Sequence, residues 1–299
     1  MRVLISGSTG FIGSALTERL RATGHEPVRL VRTNRPDDLP TVSWDPARET
    51  IDEGALDTID AVVHLAGESI ASSRWTDAQK ARIMDSRIQG TRTLATAVAN
   101  AATPPKVFLS GSAIGFYGDA GDREVTETTP PADNFAARVS VAWEQQAASI
   151  ASEQTRLVYL RTGIVLDPSG GALKEQLPFF KLGLGGRIGN GRQWFSWISL
   201  ADQVDAMIHL LTAEVSGPVN LTAPNPVTNN EFTKTLGGVL NRPTLLPTPK
   251  PALWLRLGRE LSRTLLEGGA RVLPNALVDS GYAFSDPELG PALERMLKD

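Results

Sequence analysis

A doubly wound α/β fold, with a parallel sheet between helical layers and a smaller C-terminal α/β region, is predicted by three observations. Apolar runs at 2–6, 27–31, 59–65, 106–110 and 155–161 alternate with helical patterns near 11–22, 74–100 and 134–152, the order that gives parallel strands joined by crossover helices. The first run stops at a glycine-spaced turn that opens directly into a helix. The composition, 41% hydrophobic and 21% charged over 299 residues, suits a globular chain able to bury a large core.

The first strand is Val3-Leu4-Ile5, and it ends in Ser6-Gly7-Ser8-Thr9-Gly10-Phe11-Ile12-Gly13, after which Ala15, Leu16 and Leu20 fall at helical spacing. Gly7 permits the tight turn, Gly10 lets the backbone approach a pyrophosphate, and Gly13 lets the helix pack close to the strand. The helix N-terminus then faces the phosphates, with Thr9, Phe11 and Ile12 as further candidate contacts. The alternative is a strand-to-helix turn that binds nothing. The second strand, 27–31, ends in Arg32-Thr33-Asn34-Arg35, where an NAD site places an acidic residue. Arg32, with Arg35, instead suits a 2′-phosphate and so NADP(H), against the alternative of a solvated strand-end arginine. The third strand closes on His64-Leu65-Ala66-Gly67, and His64 is expected to be a packed or hydrogen-bonded core residue rather than a catalyst. The fourth, Lys106 to Ser112, delivers Ser110 and Ser112 to its C-terminal end. Beyond 161 the pattern loosens into Gly/Pro-rich stretches with helices near 200–212 and 229–240. A Pro-rich linker, Arg242 to Pro251, then leads to short amphipathic helices. The expected units are 1–165 for the dinucleotide, with 195–222 able to join the sheet region, 166–241 on the substrate side, and a small helical unit at 242–299.

Several functions are excluded or disfavoured. Without cysteine there is no disulfide framework, thiolate metal site or Cys nucleophile. His25, His64 and His209 lack ligand spacing, so no metal site is expected. A net charge of -3 without charge blocks argues against a nucleic-acid partner. The N-terminal apolar run is too short for a signal peptide and no 18-residue apolar run follows, so a cytoplasmic protein with no membrane contact is expected, as monomer or homodimer.

The G-x-x-G-x-x-G turn, the H-L-A-G strand end and Ser110-Gly111-Ser112-Ala113-Ile114-Gly115-Phe116-Tyr117-Gly118 together resemble the extended and atypical short-chain dehydrogenase/reductases, the group of nucleotide-sugar epimerases and dehydratases. Arg161-Thr162-Gly163, Leu182-Gly183-Leu184-Gly185-Gly186, the stretch Gly189 to Ile198 and Gly217-Pro218-Val219-Asn220-Leu221 look like an epimerase-like branch sometimes labelled cell-division inhibitor. Arg242-Pro243 through Pro274 resembles that branch's C-terminal domain of unknown function. The resemblance covers nearly the whole chain and implies a Rossmann fold binding NADP. It also implies cofactor contacts at Leu65, Ala66, Gly67, Arg87, Ser110, Gly163, Ile164 and Val165. Physically, Arg87 either reaches a phosphate or sits on a solvated helix face.

In that superfamily a serine orients the substrate, a tyrosine relays the proton, and a lysine four residues later lowers the tyrosine pKa. The resemblance gives Ser112, with Ser110 second, the serine's place, against the alternative of an ordinary strand-end hydroxyl. With Glu144 as the helix marker, Ala136 and Ser140 stand where the tyrosine and lysine belong, so the usual relay cannot be assembled. Tyr117, five residues after Ser112, is the candidate proton donor, with packing as its alternative. Arg187, Arg192, Gln193 and Trp194, in a Gly-rich aromatic stretch, are candidate substrate residues, arginines suiting an anionic group and rings a planar one. Two functions follow. One is an NADP-binding, epimerase-like oxidoreductase acting on a small anionic or nucleotide-sugar substrate. The other is a non-catalytic NADP-binding sensor or regulator, for example of cell division.

Overall fold

In a computed structural model the described residues are 1–33, 38–71, 73–248, 254–255 and 257–298; Arg35 and part of the Pro-rich linker lie outside them. Strands β1 (Arg2–Ser6), β2 (Glu26–Val31), β3 (Thr41–Asp45), β4 (Thr50–Ile51), β5 (Ala61–His64), β6 (Val107–Ala113), β7 (Glu124–Val125), β8 (Arg156–Thr162), β9 (Ile164–Asp167), β10 (Trp194–Phe195), β11 (Trp197–Ser199), β12 (Gly217–Leu221), β13 (Val227–Thr228) and β14 (Arg271–Val272) are interleaved with helices. The longer helices are α1 (Phe11–Ala22), α2 (Asp77–Asn100), α3 (Phe135–Ala147), α4 (Gly171–Lys181), α5 (Leu200–Thr212) and α6 (Asn229–Val239), with Leu289–Lys298 near the C-terminus.

The eight-stranded sheet has the order β12-β8-β6-β5-β1-β2-β3-β4. Every pairing in it is parallel except β3 with β4. From β1 the chain winds one way through β2 and β3, then the other way through β5, β6, β8 and β12. The switch point therefore lies between β1 and β5, and a crevice opens at their C-terminal ends.

Alternation along the strands feeds two cores. Val3, Ile5, Val63, Leu109, Val158 and Leu160 face α1 and α5 through Leu16, Leu20, Val204 and Leu210. Leu4, Val62, Phe108 and Leu157 face the other layer, with Leu94, Val98 and Ile150. Strands buried on both faces read as the continuous apolar runs seen in the sequence. The sequence did not predict β3, because that strand buries only Trp44 and shows no period. Strand β12 does join the sheet, as its edge strand, where Pro218 lacks an N–H the ladder does not require. Helix α3 ends at Ala147, earlier than its pattern, and continues as the 3-10 turn Ala148–Ile150.

A third core joins α4, α6 and the C-terminal helix through Leu173, Phe180, Trp197, Phe232 and Leu293. Trp197 is fully enclosed, and Phe195 stacks on Phe232 at 4.3 Å. Polar contacts also fasten the C-terminal segment. Buried Asp202, in the first turn of α5, accepts the Tyr282 hydroxyl and the Ser285 and Asp286 N–H groups at 2.8 to 2.9 Å. Strand β14 pairs in parallel with β7. Among the described residues, no helix is long and apolar enough to cross a membrane.

Candidate functional site

The glycine turn sits at the switch point. Helix α1 has Gly10 as its N-cap, which offers no side-chain acceptor for the orphan N–H groups of the first turn, the arrangement in which a helix N-terminus can receive an anion. Gly7 has φ +70°, and a Cβ on it would stand 3.0 Å from Ala66 N and from the Leu65 carbonyl carbon. A Cβ on Gly13 would lie 2.1 Å from Gly7 O, so the helix seats on the turn only with glycine there. Such a cradle fits the diphosphate of a dinucleotide. Thr9 is exposed at its rim, Ile12 is half-buried, and the Phe11 ring packs flat on Gly170, where a Cβ would come within 2.3 Å. Arg32 is exposed one residue past β2.

Facing this turn across the seam is the end of β5. The Ser6 hydroxyl lies 2.6 Å from His64 Nδ1, and His64 Nε2 lies 3.1 Å from Thr91 Oγ1. Burial pushes the imidazole down to about 3, with the Arg87 charge adding to the effect, so the ring is neutral at physiological pH. Arg87 is turned inward from α2. Its Nη1 donates to the carbonyls of Glu68 (2.9 Å) and Ile83 (3.0 Å), and its guanidinium lies 4.8 Å from the Trp143 ring centroid. Burial lowers it to about 10. A Cβ on Gly67 would stand 3.1 Å from the Arg87 Cζ. The structure thus brings Gly7, Leu65, Ala66, Gly67 and Arg87 together.

Around the candidate catalytic positions runs one buried network. The Ser112 hydroxyl donates to Glu144 Oε1 at 2.7 Å. Glu144 is paired by both oxygens to Arg161, Nε to Oε1 at 2.8 Å and Nη2 to Oε2 at 2.9 Å. Arg161 Nη1 donates to the Tyr117 oxygen at 2.9 Å, and the Tyr117 hydroxyl donates to Asn220 Oδ1 at 2.7 Å. The Phe116 ring lies 3.6 Å beneath the guanidinium. Burial raises the Tyr117 phenol above its usual value, outweighing the lowering by Arg161. Both hydroxyl protons are therefore committed inside the protein. Ala136 and Ser140 are buried, and Ser140 donates back to Ala136 O at 3.2 Å. Ser110 Oγ is buried without a hydrogen-bond partner. Gly163 is enclosed, a Cβ meeting Ser196 O and Thr222 Cγ2 at 2.8 Å, while Ile164 N–H donates to Ser196 O and Val165 is buried.

Sequence reasoning missed the roles of Glu144, Arg161 and Asn220. A signal for the first two existed: an acid on the inward face of α3 and an arginine within an apolar strand must find each other, because either alone is too costly to bury.

On the substrate side, Arg187 and Arg192 are exposed. The Gln193 amide is spent on the Ile188 (3.2 Å) and Leu266 (2.9 Å) carbonyls, and Trp194 Nε1 on Asp122 at 3.1 Å, with Arg271 over its ring. A cavity of about 290 Å³ is lined by Asp119, Asn134, Arg263, Thr264, Glu267 and Gly268. None of the four predicted substrate residues lines it.

Comparison with known proteins matches residues 3–222 to the model of the NAD dependent epimerase/dehydratase family and residues 248–296 to a domain of unknown function, DUF1731. The chain is similar to an epimerase family protein of Mycobacterium tuberculosis, 43% identical over 97% of this chain and 96% of that one. It is also similar to the Homo sapiens epimerase family protein SDR39U1, 38% identical over 99% of this chain and 100% of that one. The crystal structure of the human SDR39U1 protein with NADPH superposes with a TM-score of 0.92 at 36% identity, covering 100% of both chains. A nucleoside-diphosphate sugar epimerase from Corynebacterium glutamicum gives 0.80 at 34% identity, over 99% of this chain and 58% of that one.

Proposed function

Because the chain belongs to the NAD dependent epimerase/dehydratase family, we propose that it is an NADP(H)-binding, epimerase-like oxidoreductase of the atypical short-chain dehydrogenase/reductase type, acting on a small anionic substrate. The observation that carries this reading is the cradle of Gly7, Gly10 and Gly13 beneath an uncapped helix N-terminus. Thr9, Phe11, Ile12, Leu65, Ala66, Gly67, Arg87, Ser110 and Gly163 to Val165 complete the cofactor's surroundings. Arg32, exposed past β2, receives the 2′-phosphate. The NADPH in the human relative's crystal structure supports the same choice.

When bound, the nicotinamide supplies or accepts a hydride. The chain's own groups position and exclude. Ser112 gives its proton to Glu144, so a substrate meets its lone pairs; it orients a group and does not protonate it. Tyr117 gives its proton to Asn220 and holds Arg161 in place, which leaves proton exchange to water. Arg187 and Arg192 anchor the anionic group, with Gln193 and Trp194 shaping their loop.

Titration with NADPH and NADH, following tryptophan fluorescence, tests the reading. Tight NADPH binding that is lost in Arg32→Ala, with NADH weak throughout, is the expected result. Binding of neither cofactor overturns the assignment. The missing tyrosine and lysine at 136 and 140 favour a second reading, a dinucleotide sensor without turnover. That reading falls if a partner protein binds equally well with and without NADPH.

A further inference from the structure

One hydroxyl bridges the two loops of the cofactor cradle, and its bonding capacity fixes the direction of its hydrogen bonds. Ser6 Oγ receives the N–H groups of Leu65 and Ala66, each at 3.1 Å, the first shared with the Ser6 carbonyl at 3.3 Å. A hydroxyl oxygen that accepts two bonds has one hydrogen left to give. Its remaining partner is His64 Nδ1 at 2.6 Å. Nδ1 must then carry a lone pair, which puts the ring hydrogen on Nε2, pointing at Thr91 Oγ1 at 3.1 Å. The chain of donors runs from the Leu65 and Ala66 backbone to Ser6, from Ser6 to His64, and from His64 to Thr91 on α2.

We propose that His64 is a positioning residue for the dinucleotide: as its neutral Nε2–H tautomer it orients the Ser6 hydroxyl, and Ser6 thereby holds the Leu65-Ala66 backbone against the Gly7 turn. This rests on the cofactor reading above. The imidazole itself is fully buried, walled by Trp44, Phe108 and Trp143 at ring-centroid distances of 6.0 to 6.3 Å, and meets Gly90 on α2. Enclosed in this way, it acts only through Ser6. The contact it governs is where the loops meet backbone to backbone, at the seam that admits no Cβ on Gly7. A histidine serving only as core filler would be replaced by leucine at a cost in stability and none in the geometry of that seam.

NADPH dissociation constants and melting temperatures of the full chain, for Ser6→Ala, His64→Asn, His64→Leu and the Ser6→Ala/His64→Leu double variant, test this. Asparagine puts its Oδ1 where Nδ1 stands. His64→Leu and Ser6→Ala are each expected to weaken NADPH about tenfold, the scale of losing one buried hydrogen-bond partner, and His64→Asn by no more than about threefold. In the Ser6→Ala background, His64→Leu is expected to add less than about twofold, because its effect passes through the missing hydroxyl. Imidazole nitrogen NMR of the wild type at neutral pH is expected to show hydrogen on Nε2. Independent, multiplying effects, unchanged NADPH binding in His64→Leu, or hydrogen on Nδ1 each overturn the proposal. If His64→Leu does not fold, the comparison of Ser6→Ala with His64→Asn decides: equal affinities sink it. A wild type that binds no NADPH sinks the cofactor reading instead, so the two failures are distinct.

Discussion

Glu144 and Arg161 are both buried, and a buried charge stripped of its partner costs more than the pair contributes. Glu144→Gln is expected to destabilise the protein by about 3–5 kcal/mol in urea unfolding, and Glu144→Leu/Arg161→Met by less than the sum of the two single changes. His64 sets a pH dependence. Burial pushes its folded pKa down to about 3 from the ordinary imidazole value of 6.5, so between those values the unfolded chain binds a proton that the folded chain refuses. Stability therefore falls as pH drops through that window. From pH 7 to pH 5 the wild type is expected to lose about 2 kcal/mol more than His64→Asn, read from urea midpoints at the two pH values. At this scale the glycines were legible, because their work is local backbone geometry beside a strand. Gln193 was not: its amide suits a ligand, but the fold spends it on the carbonyl of nearby Ile188 and on that of Leu266, which a distant part of the chain supplies.

Elements were read from the sequence where both faces of a strand are buried, as in β1, β5 and β6, whose apolar runs are continuous. Where one residue carries the burial, as Trp44 does in β3, no period exists to be read. The most exacting element contact is the seating of α1 on its turn. Gly13→Ala places a methyl 2.1 Å from Gly7 O, against backbone that has no rotamer to escape into. Its expected cost is about 2 kcal/mol or more of stability, together with loss of NADPH binding, seen by thermal melt with and without cofactor. Ser14→Ala, on the exposed side of the same turn, is the control and is expected to leave both nearly unchanged.

The whole molecule is a doubly wound sheet onto which the C-terminal segment is fastened. The Asp202 carboxylate takes three of the fastening bonds, one from Tyr282 and two from the backbone of Ser285 and Asp286. Asp202→Ala leaves those donors unpaired, and the expected result is faster amide hydrogen exchange across 280–298 while β1, β5 and β6 stay protected. The sequence showed that helices close the chain. The fastening was invisible because its partners lie far apart in sequence. So was the route of 270–274, where Ser196 Oγ donates to Ala270 O and accepts Val272 N–H, and Asn220 Nδ2 donates to Leu273 O. That pairing of β14 with β7 also fixes a timetable. A ribosome that has delivered Phe116, Tyr117 and Val125 must add nearly half of the chain before Val272 arrives to cover them. Until then those rings lack that part of their cover, which leaves apolar surface for chaperones to hold during synthesis, and the Arg161–Tyr117–Asn220 cluster is among the last parts of the molecule to close.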